Sequence, residues 1–288
     1  MRILVLGGDG MLGHQLLRQL GGRHEIHVTL RRDPKSYESF GLFDAALSHF
    51  GVDARSFESL QSVITACRPE AVVNAVGIVK QRAQANEAVE NLEINSLLPH
   101  RLAMICGSAG ARLVHFSTDC VFSGRRGNYV ETDVSDAEDL YGRTKYLGET
   151  SAEHCLTLRT SMIGLELSRK LGLLEWFLAQ RRAVKGYTKA IFSGFTTLEL
   201  ARIVERALIA PVRLAGIYHV SSEPISKFDL LAMIRDALDL PTKIEPYDDF
   251  QCDRTLDSSR FRAVLGYHPP SWKAMVDELA RDIRGGGR

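Results

Sequence analysis

Tyr141 and Lys145 stand four residues apart in DLYGRTKYLGE, a spacing that puts both on one face of a helix. A free phenol has a pKa near about 10. An ammonium one turn away stabilises the phenolate and lowers that value. Such a phenol can give a proton to a developing alkoxide near neutral pH, or take one in reverse. Thr118 follows an apolar run at 112–117, in STDCVF, with Ser117 and Asp119 beside it. That places a hydroxyl at the carboxyl end of a strand, where it could hold a reacting carbonyl oxygen. Strand-end turn chemistry is the plainer reading of Thr118, and surface packing is the plainer reading of Tyr141 taken alone.

What tips the balance is the start of the chain. Gly7, Gly10 and Gly13 form GxxGxxG directly after the apolar run 2–7 and at the opening of a helical pattern. Gly7 suits a tight turn, Gly10 lets a pyrophosphate approach the backbone, and Gly13 lets helix and strand pack closely. Met11 and Leu12 lie at the helix start, whose free N–H groups attract phosphate. A glycine-rich turn without a ligand is the alternative. The second strand ends Thr29-Leu30-Arg31-Arg32, where a carboxylate would bind the ribose of NAD. Two guanidiniums there suit the 2′-phosphate of NADP. NADP(H) is therefore favoured, and neighbouring Asp33 keeps NAD(H) as the second choice.

Lys80, Gln81 and Arg82 follow the strand 71–77, and Arg254 lies in a C-terminal loop. Lys80 or Arg254 could hold a substrate pyrophosphate, or be solvated surface charge. His115 and His219 sit inside apolar strands and read as core histidines rather than bases.

These groups need a scaffold, and the rhythm of the chain supplies one. Apolar runs at 2–7, 25–31, 71–77, 112–117 and 156–159 alternate with helical stretches near 57–67, 88–109 and 141–152. That pattern predicts an α/β fold, a Rossmann-type doubly wound parallel sheet covered on both faces. Beyond about residue 160 helical patterns recur near 171–182, 197–209, 227–238 and 271–284, with a strand at 216–221 and loops at 185–196 and 241–256. We expect a dinucleotide-binding domain over 1–160 and a mainly substrate-binding portion over 161–284, with room for some of its segments to return to the sheet. A flexible tail is expected over 285–288.

The chain of 288 residues carries 36 basic and 35 acidic side chains, a net charge of +1. No global field draws it to nucleic acid or to an anionic membrane. No apolar run approaches the 18 or so residues that span a bilayer, and the start reads as a buried strand, not a signal peptide. The five cysteines are scattered without a CxxC pair. Neither a disulfide framework nor a zinc site is expected, no metal is assigned, and a reducing cytoplasm is the natural compartment.

The motifs together resemble the extended short-chain dehydrogenase/reductase family: GxxGxxG at 7–13, VNAVG at 73–77, STDCVF at 117–122 and YGRTK at 141–145. STDxVFxG, completed by Gly124, and YGxTKxxGE, completed by Glu149, resemble the dTDP-4-dehydrorhamnose reductases and related sugar-nucleotide reductases. GIYHVSS (216–222), SKFDLL (226–231), RTLDSSRF (254–261) and the Gly266, Pro269, Pro270, Trp272 ending are similar to that group too.

The resemblance implies NADPH-dependent reduction of a nucleotide-activated keto sugar by a homodimer. It implies catalytic roles for Thr118, Tyr141 and Lys145, with Lys145 also on the nicotinamide ribose and Asp119 near the substrate. It puts Asp53 at the adenine, Asn74, Ala75 and Val76 along the cofactor, and Asn95 at the active site. The family's substrate side differs here. Cys120 stands in place of a Tyr, Met162 in place of a Trp, and residues 191–196 replace a Gln-x-Gly-x-Pro-Thr stretch. Epimerases and dehydratases that retain NAD look similar, but Arg31 and Arg32 and the lack of an extra acid–base pair beside Thr118 argue against them. The regulatory subunit of methionine adenosyltransferase also looks similar, though the intact Thr118, Tyr141 and Lys145 give no reason to expect lost catalysis.

Overall fold

The computed structural model describes residues 1–79, 87–168 and 170–286. The first half runs β1 (Arg2–Leu6), α1 (Gly13–Leu20), β2 (Glu25–Thr29), β3 (Ser48–His49), α2 (Phe57–Cys67) and β4 (Ala71–Asn74). A continuous helical rod follows, α3 (Ala88–Asn91) and α4 (Leu98–Ala109) joined by a π-helical segment, Leu92–Leu97. Then come β5 (Arg112–Thr118), α5 (Leu140–Leu147), β6 (Cys155–Thr160), β7 (Met162–Ile163), α6 (Leu173–Leu178), β8 (Val184–Phe192) and β9 (Phe195–Thr196). The chain closes with α7 (Thr197–Ile209), β10 (Gly216–His219), β11 (Ile225–Ser226), α8 (Lys227–Leu238), β12 (Ile244–Asp253), α9 (Ser259–Leu265) and α10 (Trp272–Arg284).

Seven strands form one parallel sheet in the order β10-β6-β5-β4-β1-β2-β3. Strand β1 shows why its sequence is apolar without a break. Ile3 and Val5 face the core beneath α1 and α7, while Leu4 and Leu6 face the core beneath α2 and α4. Helices on both sides make this the doubly wound Rossmann-type architecture, with the order reversing between β1 and β4. Ligands in such folds bind beyond the carboxyl ends of the strands at that reversal. The glycine turn, Ala75, Val76 and Thr118 all lie there.

Beyond residue 160 the chain returns to this sheet through β10, and α7 packs on α1. The rest builds two small sheets, β11-β8-β12 and β7-β9. Here the structure corrects the sequence reading. Residues 185–196 and 241–256, expected as loops, contain most of β8 and all of β12, paired in parallel. Strand β12 is an edge strand, mostly exposed, with Pro246 and a register irregularity between Tyr247 and Gln251. Its side chains face water on both sides, so no apolar alternation marks it. Aromatic contacts hold the pair instead: Tyr187 meets Tyr247 at 5.4 Å and Phe250 at 5.5 Å between ring centres. The helix expected over 171–182 shrinks to α6. The helix at 141–152 ends at Leu147, because Gly148 lies against the Asn95 carbonyl with no room for a side chain. At the tail, Gly285 and Gly286 turn off α10, and the Gly285 N–H donates to Arg281 O at 2.9 Å. Among the described residues no helix is long and apolar enough to cross a membrane.

Candidate active site

The turn after β1 is built around missing side chains. Gly7 has φ +78°, and a Cβ on Gly13 would collide with the Gly7 carbonyl. Helix α1 therefore starts hard against the turn. Its N-cap, Leu12, provides no side-chain cap, so the first N–H groups remain for an anion. This cradle fits a dinucleotide pyrophosphate. The Leu12 side chain is in the core, 3% exposed, so only its backbone can serve a ligand. Met11 reaches instead toward Gly172. Across the turn, the Gly7 N–H donates to Thr29 Oγ1 at 3.1 Å, tying the loop to the end of β2.

Arg31 and Arg32 follow β2, both exposed; among the described residues neither forms a salt bridge, and the Arg31 charge is felt at Asp53. They fit a phosphate. Asp53 accepts from Arg55 N at 3.0 Å, Nε at 3.1 Å and Nη2 at 3.0 Å, which holds its carboxyl below the usual range. Its carboxylate is thus already bound, and it meets an adenine only by exchanging that partner.

Asn74 ends β4, buried, with Oδ1 accepting from Val76 N at 3.1 Å and Nδ2 against His115 Nδ1 at 3.2 Å. It shapes the Ala75–Val76 backbone that faces Gly7. Asn95 is fully buried, its Oδ1 accepts from Ile78 N at 3.0 Å and its Nδ2 donates to Ile78 O at 3.1 Å, with Asn91 Oδ1 and Thr144 Oγ1 each at 3.3 Å. It pins the segment after β4 to the π turn and to α5. Lys80, with Gln81 and Arg82, lies outside the described residues.

Helix α5 carries Tyr141 and Lys145. Asp139 caps it, accepting from Gly142 N at 2.8 Å. Gly142 lets the helix touch the turn after β5: a Cβ there would lie 2.8 Å from Ala137 Cβ and closer still to Cys120 O. That contact sets Tyr141 beside Thr118, whose hydroxyl draws the phenol pKa down in part. The same hydroxyl donates to Asp119 Oδ1 at 3.1 Å and accepts from Cys120 N at 3.1 Å. Burial pushes the phenol above its ordinary value, with Cys120 and Asp119 pushing the same way. This reverses the expected lowering. Lys145 sits on the same face but is buried, donates to Phe116 O, and burial lowers its amine to about 8, against the pull of Glu149.

Arg254 arrives from far along the chain. Its Nε donates to Phe122 O at 2.7 Å, and its charge faces Cys120, Cys252, Asp119 and Asp139. Asp119 is buried, which raises its pKa, while Arg254 offsets part of that rise. Met162 is half-buried on β7, opposite Phe195. The five cysteines are free thiols.

A buried network behind the site was missed at the sequence level. Glu149 pairs with Arg159 through Nε and Nη2, both at 2.8 Å, with each side chain 3% exposed. Ser117 Oγ donates to Glu149 at 2.6 Å, and Arg159 Nη1 meets His219 Nε2 at 3.1 Å. Burial lowers His219 to about 4, so it is neutral. The available signal was a charged residue inside the apolar run CLTLRT.

The fold and the cradle define a Rossmann-type α/β protein with a dinucleotide cleft over the sheet's carboxyl edge. The chain belongs to the RmlD substrate binding domain family, matching it over residues 1–284. It is 26% identical to a dTDP-4-dehydrorhamnose reductase of Aggregatibacter actinomycetemcomitans, over 96% of this chain and 98% of that one. It is 24% identical to methionine adenosyltransferase 2 subunit beta of Bos taurus, over 97% of this chain and 90% of that one. Its fold matches the crystal structure of a Bacillus anthracis dTDP-4-dehydrorhamnose reductase in complex with NADP. The TM-score is 0.80 at 20% identity, covering 98% of this chain and 99% of that one.

Proposed function

We propose that this protein is an NADPH-dependent reductase of a nucleotide-activated keto sugar, working as a dTDP-4-dehydrorhamnose reductase does and belonging to the short-chain dehydrogenase/reductases. The observation that carries the reading is the approach of Tyr141 to Thr118 at the carboxyl edge of a sheet that also bears the glycine cradle. NADPH, when bound, supplies the hydride. Gly7 to Gly13 and the start of α1 hold the pyrophosphate, and Arg31 and Arg32 select the 2′-phosphate. Thr118 holds the carbonyl oxygen, and Tyr141 gives it a proton. A phenol with a raised pKa is fully protonated at neutral pH, the state that a proton donor in a reduction needs. Lys145 moves from Phe116 O to the nicotinamide ribose. Arg254, over the Asp119–Cys120 turn, holds a substrate phosphate, and Met162 lines the sugar. The free thiols suit a cytoplasmic protein, and the resemblance carries a homodimer with it.

Tyr141→Phe tests this reading. With NADPH and a panel of nucleotide keto sugars, the variant should lose about 10²–10⁴-fold in kcat while binding NADPH as before. Undiminished turnover, or no sugar consuming NADPH with the wild type, would reject it. The second outcome is the one expected of a binding subunit.

A further inference from the structure

We propose a second site, unrelated to the reductase cleft: a structural zinc-class metal site formed by His27, His49 and Cys67, with Glu25 as outer-sphere partner. The three residues come from β2, β3 and the last turn of α2. One ligand atom from each lies within 4.8 Å of the other two. His27 Nδ1 and His49 Nε2 face each other at 3.2 Å, with ring centres 5.3 Å apart. A tetrahedral zinc ion at about 2.0–2.1 Å from each nitrogen sets them about 3.4 Å apart, and the ring centres about 5.2 Å apart. The thiol reaches its place, about 3.6 Å from each nitrogen, by a side-chain adjustment of about 1 Å.

The surroundings are those of a ligand set. His27 Nε2 donates to Glu25 Oε1 at 3.0 Å, which leaves Nδ1 as the lone-pair nitrogen facing His49. Metal-bound histidines are oriented in this way by a carboxylate on the other ring nitrogen. Arg2 braces the assembly, its Nε donating to the same Glu25 oxygen at 2.8 Å and its Nη1 to Cys67 O at 3.1 Å. Cys67 is buried and both histidines are half-buried, so water has limited access. Without metal, His49 Nε2–H donates to His27 Nδ1. The ion takes that place, the His49 proton shifts from Nε2 to Nδ1 through solvent, and the Cys67 thiol proton goes to solvent as the S–metal bond forms.

The site would add to the backbone bonds that already tie β3 to the end of β2, Val28 N–H to Leu47 O at 2.9 Å and Leu30 N–H to His49 O at 2.8 Å among them. Strand β3 has two residues and two pairings with β2, at Val28–Ser48 and Thr29–His49. Thr29 in turn receives the Gly7 N–H. A metal bridging β2, β3 and α2 therefore stiffens the adenosine side of the fold without touching it.

The experiment uses full-length protein stripped with a chelator and titrated with Co²⁺ and Zn²⁺. The expected result is one ion per chain, with a thiolate-to-cobalt charge-transfer band and tetrahedral d–d bands. Zn²⁺ at about 100-fold above its dissociation constant should raise the melting temperature by about 5 °C. Cys67→Ala should abolish the band, His49→Gln should abolish the thermal shift, and Glu25→Gln should weaken binding about 10–100-fold. Should Cys67→Ala fail to fold, His49→Gln, on the half-exposed side, decides alone. A cobalt band that survives Cys67→Ala, a thermal shift that survives His49→Gln, or a wild type that retains no ion would each overturn the proposal.

Discussion

Gly142→Ala is the sharpest test of how the site is positioned. An added Cβ would lie 2.8 Å from Ala137 Cβ and closer to the Cys120 carbonyl oxygen, both on the segment that α5 packs against. Carbon atoms in contact sit about 3.5–4.0 Å apart, so α5 must withdraw by about 1 Å. The helix carries Tyr141 away from Thr118 as it moves. A misplacement of about 1 Å at a reacting group costs about 10²-fold in rate. Helix propensity favours Ala over Gly by about 1 kcal/mol, so loss of stability and loss of rate can be told apart. The assay is NADPH oxidation with the nucleotide keto sugar, alongside a melting curve and NADPH binding. We expect kcat to fall about 10²-fold with NADPH affinity within a few-fold of wild type. Gly22→Ala, where an added Cβ meets nothing within 4 Å, is the control and should change neither. A Gly142→Ala protein with kcat within threefold of wild type would refute the claim that this contact sets the distance between phenol and hydroxyl.

Arg31→Ala and Arg32→Ala should each raise the KM for NADPH about 10–100-fold, the worth of a charge-assisted bond, and leave the KM for NADH nearly unchanged. Equal effects on both cofactors would remove the 2′-phosphate from these residues. Glu149→Ala leaves the Arg159 guanidinium buried without its partner, and should destabilise the fold by about 3–5 kcal/mol in urea unfolding. Turnover should decline as pH rises through about 8, because Lys145 loses its proton there. Tyr141, pushed above its ordinary value, stays protonated across that range and cannot cause the decline. Folding moves the opposite way. The depressed amine makes Lys145 a cost in its charged form, so its contribution to stability improves as pH rises from about 8 towards the ordinary 10.5.

The parallel sheet could be read from the residues because helices cover it on both sides, which turns β1, β4 and β5 into unbroken apolar runs. Helices α7 and α8 were placed to the residue. Thr196 and Ser226 cap them and accept from the N–H groups of Glu199 and Asp229 three positions on, a start signal written in the sequence. Strand β12 carried no such mark, being exposed on an edge. Nor could spacing reveal pairings made only in space. Arg254 meets a turn 132 residues before it at Phe122 O, and His27, His49 and Cys67 come from three elements. The same holds for Asn95, whose bonds to the Ile78 backbone are made across 17 residues.

The resting protonation state of the site follows from the burial of two groups more than from their pairing. Spacing alone suggested an ammonium that makes a phenol acidic. In the folded protein the Lys145 amine is turned to Phe116 O, and the leading influences on the phenol are its own desolvation and Cys120, both raising its pKa and outweighing Thr118, which lowers it. A phenol held protonated cannot act as a base on a sugar alcohol, but it can protonate an oxyanion, which is more basic still. The Thr118 hydroxyl, donating to Asp119 Oδ1 at 3.1 Å, lies beside that phenol at the sheet edge. In the cofactor-free protein the phenol thus rests in the protonated form from which a reduction would start. One transition state serves both directions, so Lys145→Met should lower kcat/KM for reduction and for oxidation by the same factor. A Lys145→Met protein with wild-type turnover would show that the amine has no part in the step.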